Sequence, residues 1–190
     1  MELNQAEKEV LLATARYALL NGVRNGVPPE MASGNFSKLL LKKGAAFVTL
    51  RNHGKLRGCM GTLYAHESLV KNVLHNAYNA AFKDNRFAPL TADELKVIDL
   101  HISVLTKPQP LLVDSEVELQ AKLVPGTDGV ILRYRQSQAT FLPAVWESIA
   151  QPAEFIRQLK LKAGWSADFW SSEIKIELYR VIEFTERSAE

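Results

Sequence analysis

The chain has 190 residues, 47% of them hydrophobic and 23% charged, with a formal net charge of +2. That length and composition predict one folded domain, with or without an extra lobe, and exclude a disordered chain. No apolar run approaches the ~20 residues that span a bilayer, and no basic leader precedes an apolar stretch, so a soluble, cytoplasmic protein is expected.

In chain order, Asn4-Gln5-Ala6-Glu7 reads as a capping box. Val10, Leu11, Ala15, Ala18 and Leu19 then recur at helical spacing, and Gly22 is the expected stop. The loop-forming stretch RNGVPPEMASGNFSK follows. GAAFVTLRNHGKLRGCMGTL predicts a β-hairpin with Asn52-His53-Gly54 at its turn. A second strand starting at Leu56 would put Arg57, Cys59 and Gly61 on one face, and Gly58 and Met60 on the other. Two glycines so close in a strand predict a bulge, or the close approach of another backbone or a ligand.

HESLVKNVLHNAYNAAFKD predicts a second helix with a broad apolar stripe. NRFAPLTADEL turns at Pro89 and opens a short helix on a Thr91/Glu94 capping box. DLHISVLT alternates, with Leu100, Ile102 and Val104 on one face and Asp99, His101 and Ser103 on the other. Beyond it, DSEVELQAKL predicts a short helix and GTDGVILRYRQSQATFLP a second hairpin. Pro143 and Pro152 each open a helix, the second closed by Gly164. EIKIELYRVIEFTE reads as one long final strand. Helices and antiparallel strands mix without βαβ alternation, so the predicted class is α+β: one antiparallel sheet flanked by helices.

The only cysteine, Cys59, stands between two glycines. A lone cysteine makes no internal disulfide, and four scattered histidines without paired spacing make no zinc cluster, so no metal or other cofactor is expected. Cys59 beside Arg57 is a candidate nucleophile or covalent carrier; the alternative is a small apolar residue filling a tight corner. Arg57 is a candidate anion clamp, or the partner of a structural acid such as Asp84 or Asp99. His101, beside Asp99 and Ser103, or else His53, is a candidate proton relay. His53 is placed at a hairpin tip, His66 near a helix start where it could cap, and His75 mid-helix. Asp84 and Arg86 precede the Pro89 turn and form a structural corner or a ligand wall. Residues 31–66 hold Lys38, Lys42, Lys43, Arg51, Lys55 and Arg57 and no acid. This is a basic surface, but its aromatics, Phe36 and Phe47, are not interleaved as in a stacking platform, so nucleic acid is not the expected partner.

Leu56-Arg57-Gly58-Cys59-Met60-Gly61 resembles the Leu-Arg-Gly-Cys-Ile-Gly hallmark of the AMME chromosomal region (AMMECR) domain family. The resemblance extends through FVTL, AFKDNRFAPLTADEL, ISVLT, GTDGVIL, TFLP and ELYRVIEF, nearly the whole chain. Met60 replaces isoleucine, an apolar exchange of similar size. The length and stand-alone form are similar to the bacterial and archaeal members of the AmmeMemoRadiSam type. The resemblance implies a single domain over residues 1–190. Its larger lobe would come from both chain ends, a smaller lobe would be inserted between, and the hallmark motif would lie near a cleft. It implies a Memo-like protein and a radical S-adenosylmethionine protein as partners. It supplies no settled reaction, so an enzyme and an accessory or adaptor component both stay open. Candidate binding residues carried by the motif and the following corner are Leu56, Arg57, Gly58, Cys59, Met60, Gly61, Asp84 and Arg86.

Overall fold

The computed structural model describes residues 2–31 and 34–186. Helix α1 spans Gln5–Asn25, and its N-terminus carries the expected capping box: the Asn4 side chain accepts from the Glu7 N–H while the Glu7 carboxylate accepts from the Asn4 N–H. The helix does not stop at Gly22. It runs one turn further to a left-handed Gly26 (φ 71°). Gly22 is inside the helix because the Phe82 ring of the second helix occupies the space where its Cβ would be. Val10 also departs from expectation: it is exposed, while Leu11, Ala15, Ala18 and Leu19 are buried.

Strands β1 (Ala45–Asn52) and β2 (Lys55–Gly61) form the predicted hairpin. His53 (φ 48°) and Gly54 (φ 76°) supply the two positive φ values that a tight two-residue turn requires. Helix α2 (Leu69–Phe82) follows, then a 3-10 turn at Glu94–Lys96, preceded by reciprocal Thr91–Glu94 hydrogen bonds, and strand β3 (Ile98–Leu105). The first sheet has the order β2-β1-β3-β8, with β8 (Val181–Glu186) supplied by the far end of the chain. Val48, Leu50, Leu100, Ile102 and Val104 pack with α1 and α2 into one core. Within that core, two buried amides join α2 to β1. Asn72 accepts from the Ala46 N–H, and Asn76 donates to the Ala46 carbonyl.

The stretch read as one long final strand is two strands in two different sheets, and the single expected sheet is likewise two. Strand β4 (Gln109–Pro110), helix α3 (Glu116–Lys122), strands β5 (Gly129–Tyr134) and β6 (Ser137–Phe141), helix α4 (Pro152–Lys162) and strand β7 (Lys175–Tyr179) belong to the second body of structure. Its sheet has the order β4-β7-β5-β6. The break falls at Arg180, whose carbonyl accepts from the Thr106 N–H and whose own N–H donates to the Thr106 hydroxyl. This reciprocal pair takes Arg180 out of both ladders. Pro143 opens a short 3-10 helix through Glu147 rather than an α-helix. Trp146 stacks on Phe155 at 3.7 Å, over a core of Val130, Leu132, Ile156 and Leu159. The fold class is therefore α+β, with four α-helices and two four-stranded antiparallel sheets among the described residues. By their contacts the residues form two compact units: one takes the chain through Leu105 and again from Ile182, the other Thr106–Val181. No described helix is long and apolar enough to cross a membrane.

Candidate functional site

The LRGCMG stretch lies on β2, an edge strand. Its pairing with β1 is irregular: Leu50 faces Gly58 and Arg51 faces Leu56, so Arg57 is an extra residue, a β-bulge. The bulge breaks the expected alternation. Cys59 faces Thr49, and the Thr49 hydroxyl donates to its sulfur at 3.3 Å. The Arg57 side chain instead goes to the segment leading into β3. Its Nε and Nη2 fork the Glu94 carboxylate at 2.5 and 3.0 Å, and Nη2 also donates to the Ala88 carbonyl at 2.8 Å. Arg57 and Cys59 therefore do not share a face, and the structural acid of Arg57 is Glu94, neither Asp84 nor Asp99. The Nη1 of Arg57 is buried without a hydrogen-bond partner among the described residues.

Both motif glycines are set by close packing. A Cβ on Gly58 would meet the Ala80 carbonyl oxygen of α2, and one on Gly61 would meet the Phe47 ring. Met60 is partly buried against the same core, while Leu56 is 41% exposed.

Asp84 is buried just past the end of α2. It accepts the outward N–H of Cys59 at 2.9 Å, so a carboxylate covers a donor that the edge strand would otherwise leave open. It also receives the Arg86 guanidinium at 2.9 and 2.7 Å and the Arg86 N–H at 3.2 Å. The Arg86 hydrogen bond, with help from the Cys59 and Arg86 N–H groups, holds the Asp84 carboxyl far below the usual carboxylate range against the opposing effect of burial. Glu94 is lowered to about 2, first by Arg57 and then by Thr91. The guanidinium groups of Arg57 and Arg86 both approach the Phe87 ring, 5.7 and 5.5 Å from its centroid.

The histidines are spread out. His53 sits at the hairpin turn, and His66 is exposed. Ser68, not His66, holds the N-cap position of α2. His75 pairs with Glu67 at 3.0 Å on the surface. His101 lies opposite Thr49 on the other side of β1, in one cross-strand row with Cys59 but in contact with neighbours on β8: Thr185 at 3.1 Å and Glu183 at 3.5 Å. Glu183 also accepts from the Ser103 hydroxyl, and the His101 hydrogen bond is the main influence lowering its carboxyl. No group of three or more metal-ligating side chains occurs among the described residues.

The structure thus gathers Arg57, Gly58, Cys59, Asp84 and Arg86 and leaves His101 apart. Thr49, Phe87 and Glu94 complete the cluster and were not expected there. Thr49 had no signal of its own, because cross-strand register is not a local pattern. Glu94 carried the capping-box signal, which accounts for one of its two roles.

The AMMECR1 family model matches residues 12–184. A protein of Methanothermobacter thermautotrophicus is 31% identical over 97% of this chain and 96% of its own length. Protein MK0488 of Methanopyrus kandleri is 32% identical over 100% and 93%, and NEQ441 of Nanoarchaeum equitans 34% over 86% and 88%. The crystal structure of the uncharacterised protein PH0010 from Pyrococcus horikoshii superposes with a TM-score of 0.87 at 26% identity, covering 98% of this chain and 94% of that one.

Proposed function

The chain belongs to the AMMECR1 family, and from that premise we propose that it is an accessory or adaptor component that presents a rigid surface around the LRGCMG stretch to a larger partner. In the AmmeMemoRadiSam setting the partners are a Memo-like protein and a radical S-adenosylmethionine protein. One observation carries the reading: the arginine that would clamp an anionic substrate is already held by Glu94 and the Ala88 carbonyl. Releasing it would strand a partly buried carboxylate, a cost that a small substrate must first overcome. The same stretch presents Leu56 to solvent beside this pinned framework, which suits a protein partner.

The second reading is an enzyme with Cys59 as nucleophile or carrier. It is favoured by one contact, the Thr49 hydroxyl on the sulfur of the half-buried Cys59. The two readings separate in one experiment on the purified chain mixed with each partner. The adaptor reading expects complex formation that Cys59→Ser leaves intact and Leu56→Glu abolishes, with melting temperatures near wild type for both. Failure to bind either partner, or a turnover that Cys59→Ser alone eliminates, overturns it.

A further inference from the structure

Helix α1 has two apolar faces. Leu11, Ala15, Ala18 and Leu19 face the core, while Ala6, Val10, Ala13, Tyr17 and Leu20 are exposed. The exposed set is spaced 4, 3, 4 and 3 residues apart, the a/d spacing of a coiled-coil seam. It runs about 21 Å along the helix at 1.5 Å per residue. Val10, Tyr17 and Leu20 are 37%, 42% and 36% exposed. A solvated face has no need of large apolar residues at that period.

Charge identifies the occupant. Glu9 is exposed near the N-terminal end of the seam and Arg24 at its C-terminal end. Arg16 takes no part, being engaged by Glu186 and by the Leu95 and Ile98 carbonyls. A second copy of α1 laid antiparallel, with Val10 against Leu20 and Ala13 against Tyr17, sets a large side chain against a smaller one in both layers. It places each Arg24 near Glu9 of the other copy and sets the two helix dipoles antiparallel. A parallel pairing would set like charges together at both ends.

We propose that this face of α1 is the interface of an antiparallel homodimer, independent of the adaptor role argued above. The seam buries on the order of a few hundred Å² per copy, below the ~800 Å² of a standard interface, so dissociation in the micromolar range is expected. Sedimentation velocity over a concentration series tests it on the intact chain. Wild type should pass from monomer to dimer, and Tyr17→Glu should raise the dissociation constant about a hundredfold. Arg24→Glu should raise it about tenfold, and adding Glu9→Lys should restore it. These positions are exposed, so melting temperature serves as the folding control. A wild-type chain monomeric at millimolar concentration overturns the proposal. So does a dimer indifferent to Tyr17→Glu, or a double charge exchange that fails to restore association.

Discussion

At the scale of single residues, the LRGCMG stretch is a set of packing and pairing constraints, and Cys59 contributes through its backbone as well as its sulfur. Its N–H is the donor that Asp84 satisfies, which a serine at that position would preserve. Arg57 differs, because its fork onto Glu94 joins an edge strand to the turn before β3. Arg57→Ala is expected to cost about 3 kcal/mol, since the Glu94 carboxylate loses its countercharge and keeps only its Thr91 donors, and the Ala88 carbonyl loses its Arg57 donor; urea denaturation measures it. Arg57→Lys should recover only part of that, because an ammonium cannot reproduce the two-pronged geometry. The ion pair also sets an acid dependence. Glu94 is depressed from 4.5 to about 2, so the stabilisation is full above pH 4.5 and lost as pH falls through about 2. The melting temperature of wild type should decline across that window, and Arg57→Ala should flatten the decline. Asp84, shifted in the same direction, adds to the loss at still lower pH.

At the scale of elements, glycine positions set how closely strands and helices approach. Two glycines lie where helix or strand propensity alone would favour a larger residue: Gly58 against the α2 backbone and Gly22 against Phe82. Alanine at Gly22 gains about 1 kcal/mol in helix propensity, offset by moving an aromatic side chain. Alanine at Gly58 meets a carbonyl of the helix itself, which no rotamer change relieves. Gly58→Ala is therefore expected to be the more damaging, by more than about 2 kcal/mol, in chemical denaturation of the two variants side by side. Most elements were legible because their signals are local: the Asn4–Glu7 box, the His53-Gly54 turn, the alternation of β3 and the prolines opening later helical segments. The glycine pair in β2 likewise signalled a bulge or a close backbone approach, and both are present; that the extra residue is Arg57 was not legible, because its place is defined by the facing strand.

At the scale of the whole molecule, the basic window of residues 31–66 spreads over loop and hairpin. Lys38, Lys42, Lys43, Arg51 and Lys55 are exposed, whereas Arg57 is neutralised by Glu94. Exposed lysines without a stacking surface give only weak, salt-sensitive attraction to phosphates. Fluorescence anisotropy with single-stranded RNA should therefore show no binding at 150 mM salt, roughly physiological strength. Saturable binding at that salt would revive a nucleic-acid role. The family is shared with archaeal relatives over nearly the full chain.

The sequence by itself determined the α+β class, the caps and turns and the family, because each rests on neighbouring residues or on a contiguous motif. Only the tertiary structure decided that the last fourteen-residue stretch divides between two sheets at Arg180, that Arg57 turns away from Cys59 to Glu94, and that Asp84 guards the Cys59 N–H. Those outcomes join residues 25 to 74 positions apart in the chain. Hydrogen-bond satisfaction and packing choose among such distant partners only when the fold has brought them together.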